Sequence, residues 1–172
     1  MKKISISILV LMFFSIQAFA DVYEHPVYLK NLSSTQIPKM GSIKCKFRQE
    51  KYIKNIDKLL ISSGDFEFIE NKGVYFYTQH PIKSITDYTN KNYNQINEIV
   101  NAISTKRYSK LEKEFEFFYE KDNSSWNLGM KPRKNSDAYN FISSITVTGT
   151  DYIRKISIQQ KNGNKTILWF TK

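Results

Sequence analysis

The chain has 172 residues, with 26 Lys and Arg against 16 Asp and Glu, 15% aromatics and one cysteine. A single Cys excludes an internal disulfide framework, and lysines dispersed without a run of five or six argue against a nucleic-acid interface. The formal charge of +10 suits an anionic membrane surface, acidic lipid headgroups or simply a solvated exterior.

Residues 1–20 read as a signal peptide. Met1-Lys2-Lys3 is a basic start, Ile4 to Ile16 is almost wholly apolar, and Ala18-Phe19-Ala20 has the small-x-small pattern of a cleavage site, which would leave Asp21 as the first mature residue. The apolar core of this segment is shorter than the ~20 residues of a spanning helix. Cys45 lies too far from the cleavage point to be a lipidated first residue. The remaining chain, 21–172, has the size of one domain of roughly 100–150 residues, and its expected destination is the periplasm.

From Asp21 to Met40, Pro26, Pro38 and Ser33-Ser34-Thr35 interrupt any sustained period and predict an irregular lead-in with at most one short helix. From Gly41 the period becomes two: Ile43, Cys45, Phe47 and Gln49 alternate with Lys44, Lys46, Arg48 and Glu50, which predicts a strand with one buried face. A connecting stretch follows through Asn55-Ile56-Asp57. Beyond Gly64, Phe66 and Phe68 alternate with Asp65 and Glu67. The turn signal Asn71-Lys72-Gly73 leads into Val74, Phe76 and Thr78, so the pair forms a hairpin. His80-Pro81 ends it, and Ser84 to Thr89 resumes as a strand.

The pattern then changes once. Tyr93, Ile96, Ile99, Val100 and Ile103 fall at helical spacing, with Asn94, Gln95, Asn97, Glu98 and Asn101 opposite, which predicts one amphipathic helix from about Asn92 to Ser104. Its asparagines are poor helix formers, so docking of the isoleucine stripe must supply most of its stability. After Lys106-Arg107 the strands return around Phe115, Phe117 and Tyr119; Trp126, Leu128 and Met130; Ile145 and Val147; Tyr152, Ile156 and Ile158; and Thr166, Leu168 and Phe170. Turns between them carry Asp122-Asn123, Pro132, Gly149-Thr150-Asp151 and Asn162-Gly163-Asn164. About nine strands and one helix result, mainly β, in an antiparallel meander whose curved face the helix can cover.

Chemistry-bearing residues are sparse. His25 sits in the lead-in and His80 before a proline, neither beside a nucleophile or carboxylate pair. No zinc-binding, phosphate-loop or nucleophile-elbow motif occurs. Asp65 and Glu67 share a strand face as a glycosidase pair might, yet alternation puts them opposite the aromatics, where carboxylates are ordinarily solvated. No enzyme activity and no cofactor are expected. Aromatics at period two usually form sheet core; in a half-barrel the same side chains line a cavity.

The strings Phe47-Arg48-Gln49-Glu50-Lys51, Ser62-Ser63-Gly64-Asp65-Phe66-Glu67-Phe68 and Val74-Tyr75-Phe76-Tyr77-Thr78-Gln79-His80-Pro81, followed by Trp126-Asn127-Leu128, Pro132, Gly149 and Gly163-Asn164-Lys165-Thr166, resemble the periplasmic outer-membrane lipoprotein carriers, the LolA-like family. The match spans about Gly41 to Phe170 and is nearest to a divergent branch. Glu70-Asn71-Lys72-Gly73 stands where better-known members have Arg-Pro, and the hairpin after Pro81 is shortened. The resemblance implies an incomplete antiparallel β-barrel covered by helices, with an apolar cavity that shields acyl chains. It implies as partners an acylated lipoprotein or lipid, an inner-membrane exporter and an outer-membrane acceptor, with the carrier a monomer that binds no nucleic acid. Divergent relatives are linked to glycolipid or polyene-lipid export. A non-enzymatic envelope adaptor is the further alternative. On this reading the lipid-binding residues are Ile43, Cys45, Phe47, Phe66, Phe68, Phe76, Ile96, Val100, Phe117, Trp126 and Leu128.

Overall fold

A computed structural model of the chain describes residues 22–32, 36–88, 95–122 and 124–172. The expected signal peptide and cleavage point, Ser33-Ser34-Thr35, Thr89, the expected helix start at Asn92 to Asn94, and Asn123 lie outside the described residues.

The period-two segments pair into one antiparallel sheet. After the two-residue strand β1 (Pro26–Val27), strands β2 (Ile43–Ile53), β3 (Lys58–Ile69), β4 (Gly73–His80) and β5 (Ser84–Asp87) form a first meander. Helices α1 (Gln95–Thr105) and α2 (Ser109–Glu114) follow. Strands β6 (Phe115–Asp122), β7 (Ser125–Pro132), β8 (Ile142–Gly149), β9 (Ile153–Gln160) and β10 (Lys165–Thr171) form the second meander. In space the order is β1-β6-β7-β8-β9-β10-β2-β3-β4-β5. The last strand therefore joins the first meander to the second, with Phe170 opposite Phe47 on paired β10 and β2. Strands β1 and β5 remain edges, so the sheet does not close into a barrel. A mainly β chain with an open antiparallel sheet and a few helices is the architecture expected from the pattern.

Three local features differ from the expectation. Strand β2 runs to Ile53 and β3 begins at Lys58, so what reads as a connector is the tip of a long hairpin. Leu59-Leu60-Ile61 has no period of two, but pairing is set by the turn and not by the side chains. Asp57 takes the left-handed conformation (φ 47°), and its carboxylate accepts a hydrogen bond from the Tyr52 hydroxyl at 2.9 Å. A second helix, α2, buries Leu111. The lead-in also contributes a short edge strand, β1, on β6.

One face of each long strand is buried. Phe66, Phe68, Val74 and Phe76 of the first meander and Leu128, Ile145, Val147, Ile156 and Leu168 of the second belong to a single apolar cluster. Helix α1 lays Ile99, Val100, Ala102 and Ile103 into it, as its stripe requires. Burial of each large side chain contributes roughly 1.5–3 kcal/mol. Two glycines let the strands approach this closely. A Cβ on Gly64 would overlap the Tyr77 carbonyl, at the point where the pairing of β3 with β4 shifts register. A Cβ on Gly149 would overlap the Trp126 indole, whose N–H donates to the Thr150 carbonyl at 2.8 Å.

Candidate functional site

The eleven residues expected to contact lipid all fall on the covered face. Phe47, Phe66, Phe68, Phe76, Val100, Phe117, Trp126 and Leu128 are buried in the apolar cluster, and Ile43, Cys45 and Ile96 are half-buried against it. Cross-strand pairing explains the convergence: Cys45 lies opposite Phe66 on β3, and Phe66 lies opposite Phe76 on β4. The rings make edge-on contacts, with centroids 4.9 Å apart for Phe47 and Phe76, 5.1 Å for Phe66 and Phe76, and 5.8 Å for Phe76 and Tyr88. Phe170 of β10 is tilted onto Phe66 at 4.6 Å. These separations are those of well-packed aromatic pairs.

The opposite face is polar, as alternation requires. Lys44 pairs with Glu67 at 3.0 Å, and Lys46 pairs with Asp65, which also accepts from the Gln79 amide. Tyr75 and Tyr77 stack on this side, 6.3 Å between centroids. Asp65 and Glu67 thus serve as ion-pair partners of a solvated strand face. His25 and His80 are both exposed.

Most of the interior is filled. The residues that fill it beyond the expected set come from the segment read as irregular: Leu29, Leu32, Ile37 and Met40 all enter the core. Hydrogen bonds hold this segment in place, from the Met40 amide to the Ser104 carbonyl at 3.2 Å and from the Tyr119 hydroxyl to the Gln36 carbonyl at 3.0 Å. Only the spacing of Leu29 and Leu32 hints at this in the sequence. What remains beneath α1 is a small apolar pocket of about 20 Å³ between Met40, Ile43, Cys45, Phe66, Val100, Ser104, Tyr152, Ile153 and Phe170. That is room for about one water molecule, against the several hundred Å³ of a typical ligand site.

Four of the expected residues, Ile43, Cys45, Phe66 and Val100, meet at this pocket; the other seven pack elsewhere in the same core or at its margin. Burial pushes the Cys45 thiol up to about 11, partly countered by Lys172 and reinforced by Asp65. Cys45 is therefore a neutral, weakly reactive thiol at the pocket rim. Ser104 is the buried polar residue of the described core and one of the residues lining this mostly apolar pocket. Such a surface offers dispersion and hydrophobic contact to an apolar chain, and no cluster of His, Cys, Asp and Glu able to hold a metal ion occurs among the described residues.

No family model and no curated protein matches the chain. Among solved structures the chain is similar to a LolA superfamily protein from Nitrosomonas europaea, at 8% identity, covering 84% of this chain and 90% of that one with a TM-score of 0.34.

Proposed function

We propose that the chain is a periplasmic carrier that takes up the acyl chains of a lipoprotein or another lipid and moves it toward the outer membrane. Export would remove residues 1–20. An inner-membrane exporter would load the monomer, and an outer-membrane acceptor would receive its cargo. The observation that supports this reading is the apolar pocket under α1, where Ile43, Cys45, Phe66 and Val100 converge on the covered face of the sheet.

Enclosing an acyl chain on this reading requires α1 to lift, because the pocket beneath it holds only about 20 Å³ and the groove of about 750 Å³ beside Cys45 and Phe66 is open and lined by charged side chains such as Lys44, Lys46, Asp65 and Glu67. The helix carries Ile99, Val100 and Ile103 buried, and each ~0.8 kcal/mol of methylene burial in the opened interior works against the loss of that packing. The role is non-enzymatic, with no cofactor.

Native purification followed by solvent extraction and mass spectrometry tests the proposal. Acylated molecules recovered in stoichiometric amount support it, and glycolipid or polyene lipid in their place would assign the cargo instead. An empty protein that also fails to bind a fluorescent long-chain fatty acid refutes it.

A further inference from the structure

The end of the sheet opposite the pocket has a different character. Strand β2 runs from Ile43, at the pocket, to Ile53, so its far end stands roughly 30 Å away at about 3.3 Å per residue. There the β2–β3 hairpin carries Ile56, Leu59, Leu60 and Ile61 all exposed, between 43% and 57%. In a strand lying on a core one parity would be covered. Here Leu59 and Ile61 point to one face and Leu60 to the other, and neither is buried, so the tip projects beyond the body of the protein.

Neighbouring turns extend the patch. Ser63 of β3 pairs with His80 of β4. Ile61 and Ile82 each lie two residues beyond that pair, and Ile82 is 76% exposed. On the other side β10 begins beside β2, with Lys165 opposite Tyr52. Five large apolar side chains exposed at one end of a sheet mark an interaction site.

Charge identifies the partner. Lys51, Lys54 and Lys58 are interleaved with the apolar residues, and Lys83 and Lys165 flank them, all five exposed. Among the described residues none of these five is in an ion pair, whereas Lys44 and Lys46 at the pocket end pair with Glu67 and Asp65. The one carboxylate in the tip, Asp57, is engaged by Tyr52. That hydrogen bond leaves the Asp57 charge in place, so the five lysines outweigh one carboxylate and this end keeps a positive excess.

We infer that the β2–β3 hairpin tip, with Ile82 beside it, docks the protein on an anionic lipid bilayer. Ile56, Leu59, Leu60, Ile61 and Ile82 enter the boundary between headgroups and acyl chains. The lysines remain at headgroup level, their aliphatic stems along the apolar residues and their ammonium groups on lipid phosphates. Shallow docking leaves the backbone edge of β3 from Lys58 to Ser62, which has β2 on one side only, among headgroups and water, where its polar groups find partners. The pocket then faces away from the bilayer, toward the aqueous space. This inference rests on the exposed end and does not require the carrier reading.

Sedimentation with large vesicles tests it, comparing phosphatidylcholine alone with phosphatidylcholine containing 30% phosphatidylglycerol at 0.1 and 0.5 M salt. The proteins are the full chain, the double variant Leu59→Asp with Leu60→Asp, and the double variant Lys54→Glu with Lys58→Glu. The altered side chains are exposed, and circular dichroism with urea unfolding checks that the fold is intact. The apolar run near the N-terminus is common to all three proteins, so the differences between them carry the result. The unaltered chain should partition at least tenfold more onto anionic than neutral vesicles, and less at high salt. Both variants should lose at least tenfold on anionic vesicles while binding fluorescent fatty acid as before. Equal partitioning of all three proteins, or none for the unaltered chain, overturns the inference. So does a concentration-dependent dimer abolished by the Leu59→Asp, Leu60→Asp pair without vesicle binding, which would assign the tip to a second copy through the free β3 edge. Loss of fatty-acid binding with vesicle binding retained would refute the carrier reading alone.

Discussion

If α1 is the element that lifts, then weakening its packing should lower stability and raise ligand affinity at the same time. Ile103 is fully buried beneath the helix, and its replacement by Ala should cost about 2–5 kcal/mol of folding stability, the range for removing a large aliphatic from a core. Lifting α1 exposes Ile99, Val100 and Ile103, at roughly 1.5–3 kcal/mol each, or roughly 5–9 kcal/mol together. At ~0.8 kcal/mol per methylene, an acyl chain must bury roughly six to eleven methylenes before uptake is favourable. Palmitate, well above that range, should therefore bind, and octanoate, at its lower edge, should bind far more weakly. In Ile103→Ala the opening step becomes about 2 kcal/mol easier, so the competent fraction rises ~30-fold and the apparent Kd falls by the same factor. The minimum chain length should shorten by about two or three carbons. Urea unfolding and fluorescence titration with saturated fatty acids of eight to sixteen carbons measure both quantities. A variant that loses stability without gaining affinity, or equal binding of octanoate and palmitate, would refute the helix as a lid.

Cys45, with its thiol pushed up to about 11, should react with iodoacetamide far more slowly than a free thiol at pH 8, where only about one molecule in a thousand is the thiolate. The rate should climb about tenfold per pH unit toward that value, and saturating palmitate should slow it further; one rate with and without lipid would place Cys45 outside the binding volume. Cys45→Asp, at the half-buried rim, should fold yet lose fatty-acid binding, whereas Phe68→Asp should fail to fold because no exposure remains to solvate the charge. Circular dichroism and dye titration separate the two outcomes. Gly64→Ala should lower the urea midpoint, at a cost of about 1–3 kcal/mol, since the new methyl meets a β4 carbonyl that cannot move without breaking strand pairing.

Alternation at Ile43-Cys45-Phe47, Phe66-Phe68 and Val74-Phe76 determines from sequence alone which face of each strand is buried, because side chains on a strand alternate whatever the strand packs against. The stripe of Ile96, Ile99, Val100 and Ile103 likewise determines which side of α1 docks. None of these patterns carries the long-range choices. Pairing of β10 with β2 joins residues more than a hundred positions apart, and nothing local in Lys165–Thr171 names its partner. The lead-in shows no period, yet Leu29, Leu32, Ile37 and Met40 are core residues, because an irregular segment buries whichever apolar side chains its tethers aim inward. Leu59-Leu60-Ile61 has no alternation to mark a wet face, and its exposure was decided by β4, which ends at His80 and leaves the hairpin tip uncovered. Periodicity likewise identifies an apolar face without setting the gap to the face opposite, so a filled core and an open cavity share one pattern. Here the packing of α1 and the lead-in against the sheet decided between them, leaving a pocket of about 20 Å³.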